Sequence, residues 1–408
     1  MSSTTIPTRS SRIPKASASR ITSPVSSGNN DQGIITRLLR GVRIVAAAAS
    51  SPEQYPRRRS PMNASSDSNA SGETRKVQLT GGSTYTISLP KQWASEHGVE
   101  AGRELHLYAN GDGSLTVRAT SPQETETTAA RVTVDGYTED DLRRTVQALY
   151  GVGMDEFTLT AGDAFSTAQR RAATRAATKL IGPEALEETE TNIVFRNLID
   201  TSDESIRQSV LQLEYVTIWM HRNAVLALAN ADTDQAERVI ERDEEADRLF
   251  GLVHRCFQKS LTSLQEIEQL NLDRPTIFSY YTTARQLERV ADHAEKIATT
   301  ALRIEDPSAV DGIDELISLA DQSREIVVDA ASVLLGSGSV DQAYTAFHTR
   351  DELLEAVKSL DRQLYNSSSS DTYLLALVLD SVRRTAEYGG NIAEAMIQAS
   401  IREDKKQS

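Results

Sequence analysis

The chain has 408 residues, a formal net charge of −14 and a single cysteine, Cys256. Because compact domains hold about 100–200 residues, this length predicts two to four units. One cysteine excludes an intrachain disulfide and thiol-rich metal sites, and we expect its side chain to pack in the core. The acidic charge argues against a broad, nonspecific nucleic-acid surface. No apolar run reaches the ~18 residues of a membrane span, so we expect a cytoplasmic protein.

Charge is unevenly distributed along the chain. Residues 1–61 hold ten of the 44 lysines and arginines but two of the 58 acidic residues, so this segment carries +8 and the remainder −22. The Ser-, Arg- and Pro-rich composition of 1–73 predicts disorder. The change of composition after Met62 favours Met62 as the native start, with a basic DNA-binding arm as the alternative. The acidic remainder suits a high-salt cytoplasm; an ordinary acidic protein is the alternative.

Residues 74–120 alternate between strand-like segments and turn signals. Polar and apolar residues alternate on both sides of Gly81-Gly82, which predicts two short strands around a turn. Pro90 suits the start of a short helix and Gly98 its end. A turn at 110–113 then separates two further strands. The predicted elements are strands at 76–80, 84–89, 104–108 and 114–118 and a helix at 91–98.

The run TYTISLPKQW at 84–93, followed by VEAGREL at 99–105, resembles the AbrB/SpoVT group of swapped-hairpin DNA-binding domains. The unit is too small to build a core alone, and the resemblance implies an intertwined homodimer that contacts promoter DNA. We expect Trp93 to be the buried anchor of the short helix. The alternative is a hairpin that only dimerises. By position in the motif, the candidate phosphate contacts are Arg75, Lys76, Lys91 and Arg103.

Residues 131–200 show a third pattern, in which strands and helices alternate. The order β-α-β-α-β-β predicts a small α/β sandwich. This segment carries no recognised motif, and we expect a connector domain, with a small-ligand sensor as the alternative. The predicted strands are 131–134, 156–160, 185–189 and 193–198, and the predicted helices are 139–150 and 167–180.

The remainder is helical and internally duplicated. The stretch RQLERVADHAEKIA at 285–298 returns in degraded form as RTAEYGGNIAEAMI at 384–397, and the copies share the positions Glu295 and Glu394. Upstream, RDE at 242–244 returns at 350–352, which indicates duplication of one helical unit. Five breaks divide 202–402 into six predicted helices, at 230–234, 271–275, 305–313, 336–340 and 366–371.

Acidic residues recur four apart in both copies, which places each pair on one helix face. The pairs are Asp243/Asp247, Glu288/Asp292 and Asp351/Glu355. Asp243 falls where the apolar stripe of its helix should continue. Acids beside a packing seam cost free energy unless they are paired, hydrogen-bonded or bound to a metal. Alternatively, these faces form solvated salt bridges with Arg242, Arg285 and Arg289.

The duplicated unit, with an acidic pair on its middle helix and ERVADHA on the next, resembles the PhoU family of phosphate-uptake regulators. The resemblance covers about 202–402 and implies two tandem three-helix bundles, over 202–305 and 311–402, whose acidic clusters can hold metal ions. It further implies a regulator that catalyses nothing and acts with a phosphate-transporter ATPase or a phosphate-signalling protein. The whole chain is thus expected to be multidomain and mainly α. The candidate ligands are Asp243, Asp247, Glu288, Asp292, Asp351, Glu355 and Glu387.

Oxygen-only ligands favour Mg²⁺, Mn²⁺ or iron. The second copy departs from the pattern, because Asn391 replaces the acid expected opposite Asp292, Ile392 replaces His293, and two glycines occupy 389–390. We therefore expect weaker metal binding there, and the glycines indicate close approach of a neighbouring helix. His293 itself is expected to pack or to hydrogen-bond rather than to bind metal.

The sequence argues against two classes of enzyme. Carboxylate-bridged di-metal enzymes on helical bundles use Glu-x-x-His pairs, and none of the six histidines is preceded by glutamate at that spacing. The sequence likewise has no phosphate-binding glycine loop and no nucleophile elbow. The remaining alternative to a DNA-binding regulator is a dimeric, metal-binding interaction scaffold that does not bind DNA.

Overall fold

The computed structural model describes residues 73–80, 84–109, 114–119, 127–199, 203–307, 311–366 and 371–407. The predictions made for 1–72, including a start at Met62, lie outside these residues, as do the turns at 81–83 and 110–113. The chain divides into two compact units; the described residues up to 119 belong to the first and those from 127 to the second. None of the described helices is long and apolar enough to cross a bilayer.

The first unit contains two antiparallel hairpins joined by a short helix. The predicted elements are all present, and each is shorter than predicted. Trp93 is only half-buried and stacks on His97 with ring centroids 5.0 Å apart; its expected burial is therefore not found within one chain. The elements are β1 (Gln78–Thr80), β2 (Thr84–Thr86), α1 (Lys91–Glu96), β3 (His106–Ala109) and β4 (Leu115–Arg118), with β1 paired to β2 and β3 to β4.

The apolar side chains of this unit face solvent. Six large ones are 53–75% exposed, and none of the described residues between 73 and 119 is fully buried. Each two-stranded sheet is too small to enclose a core. A single chain therefore leaves an apolar surface uncovered, formed by Val77, Leu79, Tyr85, Ile87, Leu107 and Leu115.

The second unit begins with the predicted α/β sandwich. Its sheet has the order β5-β6-β8-β7, in which β5 and β6 are parallel and the other pairs antiparallel. Thr138 and Ser166 each cap a helix through a capping box. Residues such as Leu142, Phe157 and Phe195 form a separate small core. The elements are β5 (Ala129–Thr133), α2 (Glu139–Gly151), β6 (Glu156–Thr160), α3 (Thr167–Thr178), β7 (Pro183–Glu188) and β8 (Asn192–Asn197).

The helical body contains seven helices among its described residues, one more than predicted. Ser263 ends α5, and its hydroxyl accepts a hydrogen bond from the Glu266 amide at 3.2 Å, which starts the extra helix α6. A single serine inside an otherwise helical pattern gave too weak a signal for this break. The helices are α4 (Asp203–Asn230), α5 (Thr233–Thr262), α6 (Leu264–Leu270), α7 (Arg274–Ala301), α8 (Ile313–Leu334), α9 (Val340–Tyr365) and α10 (Thr372–Gln407).

The duplication predicted from sequence corresponds to two helix triplets, α4–α5–α7 and α8–α9–α10. The triplets share one continuous core that runs from Ile206 to Met396, because α7 packs against α10 and α4 against α8. Cys256 lies within this core, as predicted, and burial raises the pKa of its thiol to about 12. The two bundles thus form one body.

A charge network centred on the buried side chain of Arg255 joins the α/β sandwich to α5. Arg255 is 1% exposed and donates to the carbonyl oxygens of Tyr150 (3.0 Å) and Met154 (2.8 Å) and to a carboxylate oxygen of Asp155 (2.8 Å). Lys259 pairs with the same carboxylate at 3.1 Å. Removing Asp155 would leave the Arg255 charge buried without its carboxylate partner, and such a loss costs about 3–5 kcal/mol. The sandwich is therefore firmly attached to the helical body.

The glycine pair inside α10 is explained by close contacts. A Cβ on Gly389 would lie 2.8 Å from Cγ2 of Ile326 and 3.1 Å from the backbone nitrogen of Val327. Both atoms belong to α8, so Gly389 allows the two helices to approach closely. A Cβ on Gly390 would instead meet the side chain of Arg350, at 2.6 Å from its Cδ. The close approach expected from sequence is confirmed.

We predict that Gly389→Ala destabilises the protein although alanine favours helix by about 1 kcal/mol. The added methyl group would meet backbone that cannot move independently, and such overpacking costs about 1–3 kcal/mol. Urea denaturation followed by circular dichroism measures the change. Gly390→Ala is the matched control, since its neighbour is a flexible side chain. Equal or higher stability of Gly389→Ala would contradict the packing described.

Candidate metal centre and adjoining cleft

Three carboxylates converge where α5 and α7 cross. Asp243 and Asp247 lie one turn apart on α5, and Asp292 faces them from α7. One carboxylate oxygen from each lies within 4.8 Å of the others. None of the three forms an ion pair with any of the described residues. The arrangement offers three oxygen ligands to one hard cation.

The protein around this cluster disfavours its negative charges. Burial, followed by repulsion from Asp247, Glu295 and Asp292, raises the pKa of Asp243 to about 7. Burial and the neighbouring acids also raise the pKa of Asp247. Burial raises the pKa of Asp292, against the opposing effect of nearby basic groups, the first of which is Lys296. A bound cation would neutralise the carboxylates, whereas protons do so in its absence.

Two further acids border the cluster. Glu288 lies one turn before Asp292 and pairs with Arg285 at 3.2 Å, while its Oε2 is buried and has no hydrogen-bond partner among the described residues. Burial, then repulsion from Asp292, raises the pKa of Glu288 to about 7. Glu295, which sequence reasoning did not select, acts on both Asp243 and Asp247. A glutamate recurs at the equivalent position of the second copy, Glu394. That recurrence is the sequence signal that identifies Glu295 as a candidate.

The second copy does not form such a group among the described residues. Asp351 pairs with Arg350 (2.5 Å), and Glu355 pairs with Lys358 (2.7 Å). Glu387 accepts hydrogen bonds from two arginines, at 2.6 and 3.0 Å. These three predicted ligands are thus engaged in salt bridges, though not with the arginines expected from sequence, whereas the three converging acids of the first copy form none among the described residues. The arginines that pair with Glu387 are Arg383 and Arg384.

Asn391, which replaces the acid expected from the first copy, connects two helices. Its side-chain amide donates to the Oε1 of Gln286 at 3.2 Å and so links α10 to α7. His293 behaves as expected: its Nδ1 lies 3.1 Å from the Ser381 hydroxyl, and burial lowers its pKa to about 4. The ring is therefore neutral at pH 7 and packs between helices.

The arginines proposed as salt-bridge partners of the first-copy acids take different roles. Arg242 pairs with Glu245 at 3.0 Å and lies over the Trp219 ring at 4.5 Å. Arg289 lies over the Tyr388 ring at 5.6 Å and forms no ion pair within the described parts of the chain. Of these three arginines, Arg285 alone pairs with a predicted ligand, Glu288, within the described residues.

An open cleft of about 700 Å³ adjoins the acid cluster. It lies between α7, α9 and α10, and Asp292 borders both the cluster and the cleft. Its lining is dominated by charged side chains of both signs, contributed by the two copies. The residues that line it are Arg285, Glu288, Arg289, Asp292, His293, Lys296, Arg350, Leu354, Arg384, Glu387, Tyr388 and Asn391.

The four basic residues predicted to contact DNA differ in their surroundings. Lys76 and Lys91 are exposed, and Arg75 forms an ion pair with Glu73. Arg103 donates to the carbonyl oxygens of Gly98 (2.8 Å) and Ala119 (3.0 Å). These bonds connect the end of α1 to the end of β4, so Arg103 has a structural role that the motif did not indicate.

In a comparison with known proteins, two parts of the chain match family models. Residues 210–301, which span most of the first helix triplet, match the PhoU domain. Residues 78–125 match the model described as antidote-toxin recognition MazE, bacterial antitoxin. This match supports the predicted resemblance of the first part of the chain to an AbrB/MazE-type domain.

The chain is similar to several curated proteins named phosphate-specific transport system accessory protein PhoU or its homologue. It is 23% identical to the Streptococcus pneumoniae protein over 214 residues, 50% of this chain and 94% of the relative. Identity to the Pseudomonas putida protein is 25% over 48% of this chain and 77% of the relative. The Escherichia coli protein is 23% identical over 47% and 80%.

Two solved structures are also similar to the chain. The phosphate transport system regulatory protein PhoU from Streptococcus pneumoniae shares 18% identity at a TM-score of 0.42, over 48% of this chain and 94% of that one. PhoU from Pseudomonas aeruginosa shares 22% identity at a TM-score of 0.44, over 49% and 97%.

We predict that the first-copy cluster binds one Mn²⁺ or Mg²⁺ and that affinity rises between pH 6 and pH 8. Metal binds the ionised carboxylate, so it competes with the proton that a pKa of about 7 leaves on Asp243 at lower pH. Calorimetric titration at both pH values measures this. Asp243→Asn should weaken binding at least about tenfold, since one charged ligand is lost.

The matched control is Asp351→Asn, which removes the equivalent acid of the second copy. Asp351 is paired with Arg350, so this change should leave metal affinity within about twofold of the parent. Finding no metal binding by the parent protein, or equal loss in the two variants, would refute the asymmetric site.

Proposed function

We propose that this chain regulates phosphate uptake by binding other proteins and that it catalyses no reaction. The observation that carries the proposal is the PhoU domain match over 210–301, within a body built from two copies of one helix triplet. The relatives named as phosphate-specific transport accessory proteins align over about half of the chain. Natural partners for such a regulator are the transporter's ATPase or a phosphate-signalling protein, in the cytoplasm.

The acid cluster supports this proposal as a structural or sensing element. Three carboxylates that form no ion pair within the described residues offer a binding site for Mg²⁺, Mn²⁺ or iron. Metal binding would remove the repulsion between Asp243, Asp247 and Asp292 and so stabilise the contact between α5 and α7. In this proposal, the metal sets the shape of the surface that a partner recognises.

Deletion of the gene in its native organism tests the proposed function. Uptake of radiolabelled phosphate should lose its dependence on the external phosphate concentration, and the full chain should restore it. Complementation with Asp243→Asn measures the contribution of the cluster, with Asp351→Asn as control. Normal regulation of uptake in the deletion strain would contradict the proposal.

A second function is favoured by the first unit. The MazE-type match over 78–125 and the exposed lysines at 76 and 91 support a dimeric DNA-binding head. Because the body is strongly acidic, contact with DNA would be restricted to this unit. We therefore propose that the regulator acts at the promoters of phosphate-transport genes; a dimeric scaffold without DNA binding is the alternative.

We predict that the protein is a homodimer held together by the apolar surface of the first unit. Leu79 and Leu107 are 60% and 62% exposed in one chain, and burying such side chains gains about 1.5–3 kcal/mol each. Light scattering of the Leu79→Lys, Leu107→Lys variant should report a monomer. Leu186→Lys, an exposed leucine on β7, should leave the oligomer unchanged. A dimeric double variant would refute the assignment.

We predict that promoter DNA binds through Arg75, Lys76 and Lys91. Replacing all three with alanine should weaken binding and flatten its salt dependence, because each phosphate contact contributes to that slope. Fluorescence anisotropy at several salt concentrations measures both. The matched control replaces Arg131, Arg171 and Arg238, three exposed arginines of the second unit, with alanine. Equal DNA binding by the two triple variants would favour the scaffold alternative.

A further inference from the structure

We infer that the cleft between α7, α9 and α10 binds a phosphate group, either free phosphate or the phosphoryl group of a small metabolite. The cleft combines basic side chains from both copies in a chain whose net charge is −14. Such a concentration of positive charge runs against the overall composition of the protein, and it occurs within a concave site. The inference deepens the proposed function, because it supplies that regulator with a ligand.

Basic groups outnumber acidic ones in the cleft. Five arginines and lysines line it, against three carboxylates. Two of those carboxylates, Glu288 and Glu387, are already paired with arginines. Arg289 and Lys296, by contrast, form no ion pair within the described part of the chain, although both line the cleft. Their charges are available to an anion.

Arg350 provides a third basic group from the opposite side. It reaches the cleft across α10, directly over Gly390, where a Cβ would lie 2.6 Å from its Cδ and 2.8 Å from its Nη1. The Phe347 ring lies 3.9 Å from its guanidinium carbon, and Asp351 pairs with it. A glycine inside a helix costs about 1 kcal/mol relative to alanine. The structure thus tolerates this cost at a position where the glycine makes room for Arg350.

The chemistry of these groups selects the ligand class. Planar guanidinium groups bind phosphate oxygens through paired hydrogen bonds, and lysine adds a mobile point charge. A volume of about 700 Å³ exceeds the size of a phosphate ion and matches that of a small-metabolite site. The Tyr388 ring and Leu354 offer apolar surface to the remainder of such a molecule. These features favour a phosphorylated metabolite, with free phosphate as the smaller member of the same class.

Calorimetric titration of the full chain with inorganic phosphate, pyrophosphate and ATP tests the inference. At least one probe should bind saturably, and Arg289→Gln and Arg350→Gln should each weaken binding about tenfold, as expected for loss of one charge-assisted contact. The matched control is Arg362→Gln, an exposed arginine of α9 outside the cleft, which should bind as the parent does.

Gly390→Ala separates binding from folding. The new methyl group should displace the flexible Arg350 side chain, so binding should weaken while resistance to urea is maintained or increased. Binding of phosphate alone would identify the free ion as ligand, and stronger binding of ATP an organic phosphate. Absence of saturable binding by all three probes, or unchanged affinity in the arginine variants, would overturn the inference. Because these measurements use purified protein, they are independent of the uptake experiment that tests the proposed function.

Discussion

The requirement to bury most of α7 determines where the functional side chains lie. This helix packs against α4, α5 and α10, and its buried positions include Leu287, Val290, Ala291 and Ala294. Five charged residues of α7 recur at spacings of three and four residues and therefore form one stripe along the helix. That stripe contains both the acid facing α5 and the bases facing the cleft: Arg285, Glu288, Arg289, Asp292 and Lys296.

The two copies differ in how the acidic positions around α7 are paired. In the first copy Asp243, Asp247 and Asp292 form no ion pair with the described residues, and the repulsion between them would favour a cation. In the second, the same positions carry Glu387, paired with arginines, and Asn391, bonded to Gln286. The glycines at 389–390 then bring α8 and Arg350 close to α10. One duplicated surface thus carries a cluster of acids on one side and a basic cleft on the other.

Sequence reasoning was most successful where the signal is local. Periodicity and turn signals predicted the α/β order and nearly every helix, and the candidate ligands named from sequence include Asp243, Asp247 and Asp292, which the fold brings together. It did not find the contacts of Arg103 or Arg255, because the partner carbonyls and carboxylates lie up to about a hundred residues away and only the fold brings them together. The cleft was missed for the same reason, since Arg350 and Arg289 belong to different copies.

The attachment of the α/β sandwich to α5 connects the sandwich to the helix that carries two acids of the cluster. Helix α5 carries Asp243 and Asp247 and, two to three turns later, Arg255, which is buried against Asp155 at the start of β6. Breaking such a pair costs about 3–5 kcal/mol, more than the 1–3 kcal/mol typical of coupling between sites. A shift of α5 on metal binding would therefore carry the sandwich with it rather than break the contact. Lys179 of the sandwich pairs with Glu244 of α5 at 2.5 Å beside the cluster and provides a second contact between the two parts.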